Sequence, residues 1–247
     1  QSQEQKMHID WAVRDKELRR ILNHYKEISG DNYDCMVAIS GGKDSTYQLH
    51  LVTQVYRMKP LAVTFNYNWM SETGKYNLQN VLERLNVDHI MFTPNRSLVN
   101  RLAKRSLELN GDSCWHCHAG VDSFPLQAAV MYKIPLIIFG ESLAEGYSGQ
   151  ATYYEPCPFD LDYIQKVSTK SKIEEVVNEE ITLKDLWPFK IPTLEELEKH
   201  KIVRLFLGDY VFWDTERQVE LIKDLYDWRK DDVDGTYKKY KSIECRM

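Results

Sequence analysis

Between Trp11 and Ile28 the apolar residues Trp11, Leu18, Ile21, Leu22 and Tyr25 recur at helical spacing among charged ones, and Gly30 follows. The pattern predicts an amphipathic helix stopped by glycine. Tyr33–Ile39 reads YDCMVAI, short and almost wholly apolar, as a central parallel strand covered on both faces should. It runs into Ser-Gly-Gly and then a helix from Asp44 to about Arg57. The unit recurs as strand Leu61–Phe65 with helix Glu72–Leu85, strand His89–Thr93 with helix Ser97–Leu109, and helix Val121–Tyr132 with strand Leu136–Phe139. This alternation predicts an α/β fold, a doubly wound parallel sheet. A ligand belongs at the carboxyl ends of such strands, where Ser40, Asn66, Pro94 and Glu141 emerge.

Beyond Gly149 the pattern changes to tyrosine, proline and charge (ATYYEPCPFDLDY), then to helical stretches near Ser171–Asn178 and Thr193–His200. An apolar run, Ile202–Trp213, and a helix over Thr215–Trp228 follow, and the chain finishes on Lys238, Lys239 and Lys241. The division expected is an N-terminal helix in 1–30, an α/β core in 31–149, and a mostly helical C-terminal extension in 150–247 packed on the core. No internal repeat interrupts it.

Composition narrows the class. The 247 residues are 43% hydrophobic and 28% charged, which excludes disordered, collagenous and low-complexity chains. No apolar run approaches the ~18 residues of a membrane helix, and the start, QSQEQKMHIDW, lacks the apolar core of a secretory signal. Beginning on Gln1 reads as trimming. Five cysteines, only two of them close together, make no disulfide framework and fit a reducing, cytoplasmic location. A net charge of −5 weighs against a nucleic-acid binder.

The strongest chemical signal is Ser40-Gly41-Gly42-Lys43-Asp44-Ser45, where the first strand turns into a helix. Paired glycines let backbone N–H groups point inward, the helix N-terminus adds positive potential, and Ser40 and Ser45 add hydroxyl donors, so an anion is expected there. A Walker A loop needs Ser or Thr after the lysine, whereas Asp44 follows Lys43, so γ-phosphate transfer is not indicated. Glu141, the first polar residue after a buried strand, stands where the crevice should be and suits a Mg²⁺ ligand or a proton acceptor.

Cys114-x-x-Cys117, flanked by His116 and His118, is a second constellation. Its spacing suits Zn²⁺ or an iron–sulfur cluster, with Cys157, Cys245 or a histidine completing the set, and equally suits a metal-free pair lining the substrate pocket at the start of a helix. Arg96, Arg101, Lys104 and Arg105 place cations on one helix that could grip a diphosphate, and Tyr147, Tyr153 and Tyr154 could stack on a sugar or base; a solvated face and ordinary packing are the plainer readings.

The loop S-G-G-K-D-S after a buried strand resembles the pyrophosphate loop of the N-type ATP pyrophosphatase (PP-loop) superfamily. Taken with Thr64-Phe65-Asn66, Gly111-Asp112-Ser113-Cys114-Trp115-His116-Cys117-His118, Ile134–Glu141 (IPLIIFGE) and Leu207-Gly208-Asp209-Tyr210, the chain from Trp11 to Cys245 resembles the N-acetyl sugar amidotransferases of surface-polysaccharide and nonulosonic-acid pathways. In that family a Cys-rich segment precedes the first helix and more chain follows the last cysteine; neither stands in this sequence. The resemblance implies ATP and Mg²⁺ as cofactors, with Ser40, Gly41, Gly42, Lys43, Asp44, Ser45, Asn66 and Gly140 binding ATP, and Lys43, Asp44 and Glu141 catalytic. His116, His118, Arg101 and Tyr147 would contact substrate. It implies an N-acetylated, nucleotide-linked sugar whose acetamido oxygen is adenylated before ammonia displaces AMP. No glutaminase signature accompanies these motifs, so a separate glutaminase subunit is the expected source of ammonia, with the acidic stretch Lys172–Lys199 as a docking surface. Two alternatives stand beside this: a tRNA thiolase using the cysteine pair, and a non-catalytic ATP-sensing protein.

Overall fold

The computed structural model describes residues 2–146, 153, 168–231 and 245. Two helices lead in, α1 (Ser2–Met7) and α2 (Trp11–Ser29), separated where the Asp10 carboxylate accepts from the N–H groups of Ala12 and Val13 at 3.1 Å and caps α2. Then come β1 (Cys35–Ala38), α3 (Lys43–His50), β2 (Pro60–Phe65), α4 (Glu72–Leu85), β3 (His89–Phe92), α5 (Arg96–Asn110), α6 (Trp115–Tyr132), β4 (Leu136–Phe139) and, after the extension's first part, β5 (Val203–Phe206).

The five strands form one parallel sheet in the order β3-β2-β1-β4-β5. Register is set by pairs such as Val37↔Ala62, Met36↔Ile137 and Ile138↔Leu205. Alternate residues of each strand enter separate cores. Cys35, Val37, Leu136 and Ile138 pack with Leu18 and Leu22 of α2 and Leu49 of α3 on one face. Met36, Leu61, Val63 and Ile137 pack with Leu126, Ala128 and Ala129 of α6 on the other. Burial on both faces is why these strands are continuously apolar. The sheet is the doubly wound α/β type that the alternating pattern predicts. After β1 the chain builds outward to β2 and β3, then returns to lay β4 on the other side of β1. The resulting switch point leaves a crevice at the carboxyl ends of β1 and β4.

Three elements depart from the sequence reading. First, α6 begins at Trp115 rather than Val121, because Gly120 is a packing position and not a breaker: a Cβ there would lie 2.1 Å from the Phe65 ring. The glycine lets α6 lie directly on β2, and it takes Cys117 into the helix's first turn. Second, the helix expected over Asp44–Arg57 starts at Lys43 and widens to a π-turn over Leu51–Val55, where Thr53 Oγ1 donates to the Leu49 carbonyl at 2.8 Å. Third, the apolar run Ile202–Trp213 contains β5, to which no strand was assigned. It is a four-residue edge strand interrupted by Arg204, with Val203 exposed, so it lacks the continuous apolar signature of the central strands. The extension's described helices are Ile173–Val176, Leu194–Lys199 and Thr215–Tyr226. Among the described residues no helix is long and apolar enough to cross a membrane.

Candidate active site

The loop from Ser40 to Ser45 closes on itself. Ser40 N–H donates to Ser45 Oγ at 3.2 Å, Gly42 N–H to Ser40 Oγ at 3.3 Å, and Ser45 Oγ to the Gly42 carbonyl at 3.2 Å. Gly41 sits at φ 83°, and a Cβ on it would meet the Gly74 carbonyl oxygen at 2.5 Å and Leu78 N at 2.8 Å. The loop is therefore pressed against α4 where no side chain fits. Gly42 caps α3 without a side chain, and the first intrahelical bond runs from Thr46 N–H to the Gly42 carbonyl. The N–H groups of Lys43, Asp44 and Ser45 lie in the first turn of α3 and take no intrahelical partner, an arrangement that receives an anion.

Two tryptophans from the extension grip this loop. Trp213 Nε1 donates to Asp44 Oδ1 at 3.1 Å, and Trp228 Nε1 donates to the Gly41 carbonyl at 3.1 Å; both rings are buried. Lys43 pairs with the same Asp44 carboxylate. The Trp213 ring stands edge-on to Tyr47 and covers Gly140, where an added Cβ would lie 3.3 Å from it. Lys6 of α1, buried, donates to the Trp213 carbonyl. Gln48 Nε2 donates to the Ile138 carbonyl at 2.6 Å and fastens α3 to β4.

Across the switch point, the turn after β4 locks onto the turn after β5. Gly208 N–H donates to the Gly140 carbonyl at 2.8 Å, Ser142 Oγ donates to Asp209, and Ala144 N–H donates to Ser142 Oγ at 3.1 Å. Burial pushes the Asp209 carboxyl up, with the Ser142 bond opposing it. Glu141 sits exposed at the end of β4, beside the carboxyl end of β1. On the other flank, Asn66 Nδ2 donates to Thr93 Oγ1 at 3.1 Å and Asn68 Nδ2 to the Pro94 carbonyl at 2.9 Å. Ser40–Ser45, Asn66, Gly140 and Glu141 therefore share the edge of the sheet that the topology leaves open.

His116, wholly buried, stands edge-on to Trp69 at 4.6 Å, and neither ring nitrogen completes a well-formed hydrogen bond. Burial pushes its imidazole down to about 4, with the Tyr67 and Ser113 carbonyls pulling weakly upward. His118 is exposed. Cys114 caps α6, its N–H donating to Asp112 Oδ1 at 3.0 Å; burial pushes its thiol up, and the Asp112 and Cys245 charges push the same way. Among the described residues no group of three or more His, Cys, Asp or Glu could hold a metal ion. Cys157, a candidate further ligand, lies outside the described residues. Arg101 and Arg105 of α5 line a groove with Glu179 and Glu180 of the extension, and that groove contains no residue of the Ser40–Ser45 loop. Tyr147 lies outside the described residues. Sequence reasoning missed Trp213, Trp228, Gln48, Ser142 and Asp209 as site residues; only the Leu-Gly-Asp-Tyr string hinted at the last of them, Asp209.

No family model matches the chain. An uncharacterized protein of Methanocaldococcus jannaschii is 28% identical over 133 residues, 54% of this chain and 47% of its own, so the chain spans about half the length of the curated relative it matches. Among solved structures, the chain is similar to an NH3-dependent NAD synthetase from Campylobacter jejuni (TM-score 0.42, 15% identity, 60% of this chain and 64% of that one). It is also similar to an NMN synthetase from Francisella tularensis (TM-score 0.41, 12% identity, 93% and 100%). A predicted subunit of a tRNA methyltransferase from Methanocaldococcus jannaschii follows (TM-score 0.39, 15% identity, 76% and 74%).

Proposed function

We propose that the protein is an ATP-dependent amidotransferase that converts the acetamido group of an N-acetylated sugar into an acetamidino group. The observation that carries the reading is the Ser40–Ser45 loop: a glycine turn with inward N–H groups and an uncapped helix N-terminus, seated at the switch point of the sheet and lacking the hydroxyl residue after the lysine that a Walker loop uses. Such a cradle favours departure of pyrophosphate over transfer of the γ-phosphate.

The neutral amide carbon is a poor electrophile. In the first step the amide oxygen attacks the α-phosphorus; the O–P bond forms as the bond to the β-phosphate oxygen breaks, and pyrophosphate leaves against the N–H groups of Lys43, Asp44 and Ser45. Lys43 offsets the developing charge. In the second step ammonia adds to the imidate carbon, AMP departs on its oxygen, and the surplus proton passes to a base, for which Glu141 is the exposed carboxylate at the crevice. Asp44, held by Trp213, would carry Mg²⁺, which neutralises phosphate charge when bound. The ammonia donor in this reading is a separate glutaminase subunit, docked on the acidic extension.

The test is ATP labelled at the α-phosphate, incubated with ammonium and a panel of free and nucleotide-linked N-acetyl sugars. AMP and pyrophosphate that form only with a sugar acceptor support the reading. ADP as product, or turnover indifferent to every sugar, overturns it; acceptor-dependent turnover with tRNA would favour the thiolase.

A further inference from the structure

The 3₁₀ turn Trp187–Phe189 sends its two aromatic side chains opposite ways. Phe189 is buried against Phe65 and Trp115, whereas Trp187 is 58% exposed. The outward ring is no accident of a loose segment. Gln127 Nε2 of α6 donates to the carbonyls of Trp187, Pro188 and Lys190 at 3.3, 3.4 and 2.6 Å, and Ser123 Oγ donates to the Pro188 carbonyl at 3.1 Å. With the backbone tied to α6 and Phe189 committed to the core, the Trp187 indole has no route inward.

Trp187 lines a groove of about 570 Å³ together with Phe92, Pro94, Leu98, Leu183 and Lys190. That volume is in the range of small-molecule sites. The groove begins at Thr93, directly after β3, and Asn66 and Asn68 are hydrogen-bonded to its rim. It therefore opens on the same edge of the sheet as the Ser40–Ser45 loop, two strand spacings or about 10 Å along. Its lining carries two cations, Lys184 and Lys190, against one carboxylate. Asp185 accepts from the N–H and Oγ1 of Thr182 at 2.9 and 2.7 Å, which hold its carboxyl down, and Lys184 acts in the same direction; Lys190 makes no ion pair among the described residues. An open indole face beside ammonium groups that outnumber the carboxylate matches a flat heterocycle joined to phosphate.

We propose that this groove binds the nucleoside diphosphate carrier of the sugar substrate, its base stacked on Trp187 and its phosphates beside Lys184 and Lys190. The inference rests on the amidotransferase reading and deepens it: the enzyme would hold two nucleotides on one sheet edge, ATP at the switch point and the carrier beyond β3, with the sugar between them.

Calorimetric titration of the full chain with UDP, CDP and GDP, each alone and with ATP present, tests this. At least one diphosphate should bind the wild type, and Trp187→Leu should weaken it about tenfold or more, the loss of one stacked base. Trp187→Phe should retain most of the affinity, Lys184→Ala with Lys190→Ala should abolish the preference for diphosphate over nucleoside, and the affinity for ATP should be unchanged throughout. No binding of any diphosphate, unaltered binding by Trp187→Leu, or an equal loss of ATP affinity, which would make the groove ATP's own, each overturns the proposal. A Trp187→Leu defect seen only with a glutaminase partner present would make the groove a protein contact and overturns it too. AMP formation with a free N-acetyl sugar is scored separately: if no sugar of any kind elicits it, the amidotransferase reading fails whatever the groove binds.

Discussion

Trp213 Nε1 and Asp44 Oδ1 lie 3.1 Å apart although 169 positions separate them in the chain. The contact ties the Ser40–Ser45 loop to a segment that precedes the last described helix, and Asp44 is the one loop carboxylate. A hydrogen bond to a charged group is worth about 1.5–3 kcal/mol. Trp213→Phe keeps an aromatic ring against Tyr47 and Gly140 but loses the donor, and should lower AMP formation about tenfold or more while thermal unfolding shifts by only a few degrees. A melt and a rate from the same preparation decide it. Full activity in a stable variant would mean that Asp44 is oriented without the indole.

Asp44→Ala should abolish acceptor-dependent AMP formation with the fold intact, because the side chain is partly exposed and its loss leaves no buried cavity. Gly41→Ala should damage the same activity by another route. Its Cβ would meet α4 backbone at 2.5 Å, and the residue sits at positive φ, so the loop must move. Circular dichroism and product chromatography separate the two outcomes. Retained turnover in Asp44→Ala would remove the loop from the mechanism.

The central sheet was legible because β1, β2 and β4 are buried on both faces and so are continuously apolar, and because Ser40–Ser45 combines glycine, lysine and serine at a strand end. β5 was not, since an edge strand of four residues with Arg204 in it carries no such run. The start of α6 was misplaced because Gly120 looks like a breaker until its contact with Phe65 is seen. Trp213 and Trp228 were illegible for a different reason: each acts on the loop across more than 160 residues, and nothing local marks an indole N–H as a donor to a distant carboxylate or carbonyl. The metal-like spacing of Cys114 and Cys117 is a weaker signal, since spacing along a helix start says nothing about a third ligand.

The cysteines give a sharper test for that reason. Cys114 is the N-cap of α6 and offers no capping hydrogen bond, whereas serine is among the preferred caps, worth about 1 kcal/mol. With no metal, Cys114→Ser should hold or raise the melting temperature by a few degrees, while Cys117→Ser and Cys114→Ser both lose most activity through pocket shape. Cys35→Ser, wholly buried in β1, should cost stability and leave turnover per folded molecule unchanged. A large fall in melting temperature for Cys114→Ser, with zinc or iron in the purified wild type, would establish a metal at the pair.

His116 predicts a pH dependence of stability. Its imidazole is pushed down to about 4 in the folded chain from an ordinary value of 6.5. Between those values the unfolded chain binds a proton that the folded chain refuses, so stability falls as pH drops from 6.5 towards 4 and is level above. The full effect is about 3 kcal/mol. His116→Phe, which keeps a ring against Trp69, removes it. Across pH 7.5, 6 and 5 the wild-type urea midpoint should fall more steeply than that of the variant; parallel curves would contradict the assignment.

Nitrogen supply is the last expectation, and it follows from the chemistry of the second step. Ammonium has a pKa well above 7, so at neutral pH it is mostly protonated and carries no lone pair to attack the imidate carbon. An enzyme drawing on solution therefore works poorly at pH 7 with ammonium salts and better near pH 9. A glutaminase releasing neutral ammonia next to the crevice lifts that restriction. The extension offers an acidic face for such a partner, though not all of its carboxylates are available: Glu175 accepts from the Lys172 N–H at 2.6 Å, and Glu196 accepts from the Thr193 N–H at 2.8 Å, both closing helix starts. Glu179 and Glu180 line the groove with Arg101 and Arg105. Glu174, Glu195 and Glu198 are exposed and are the positions to reverse. The isolated chain should use ammonium but not glutamine, and should gain glutamine-dependent amidination at pH 7 when a glutaminase subunit is added. Replacing all three with lysine should remove that gain and leave the ammonium rate at pH 9 intact, because the substitutions touch the docking face and not the crevice. Glutamine use by the chain alone would refute the partner, and an undiminished gain in the triple variant would move the docking surface elsewhere.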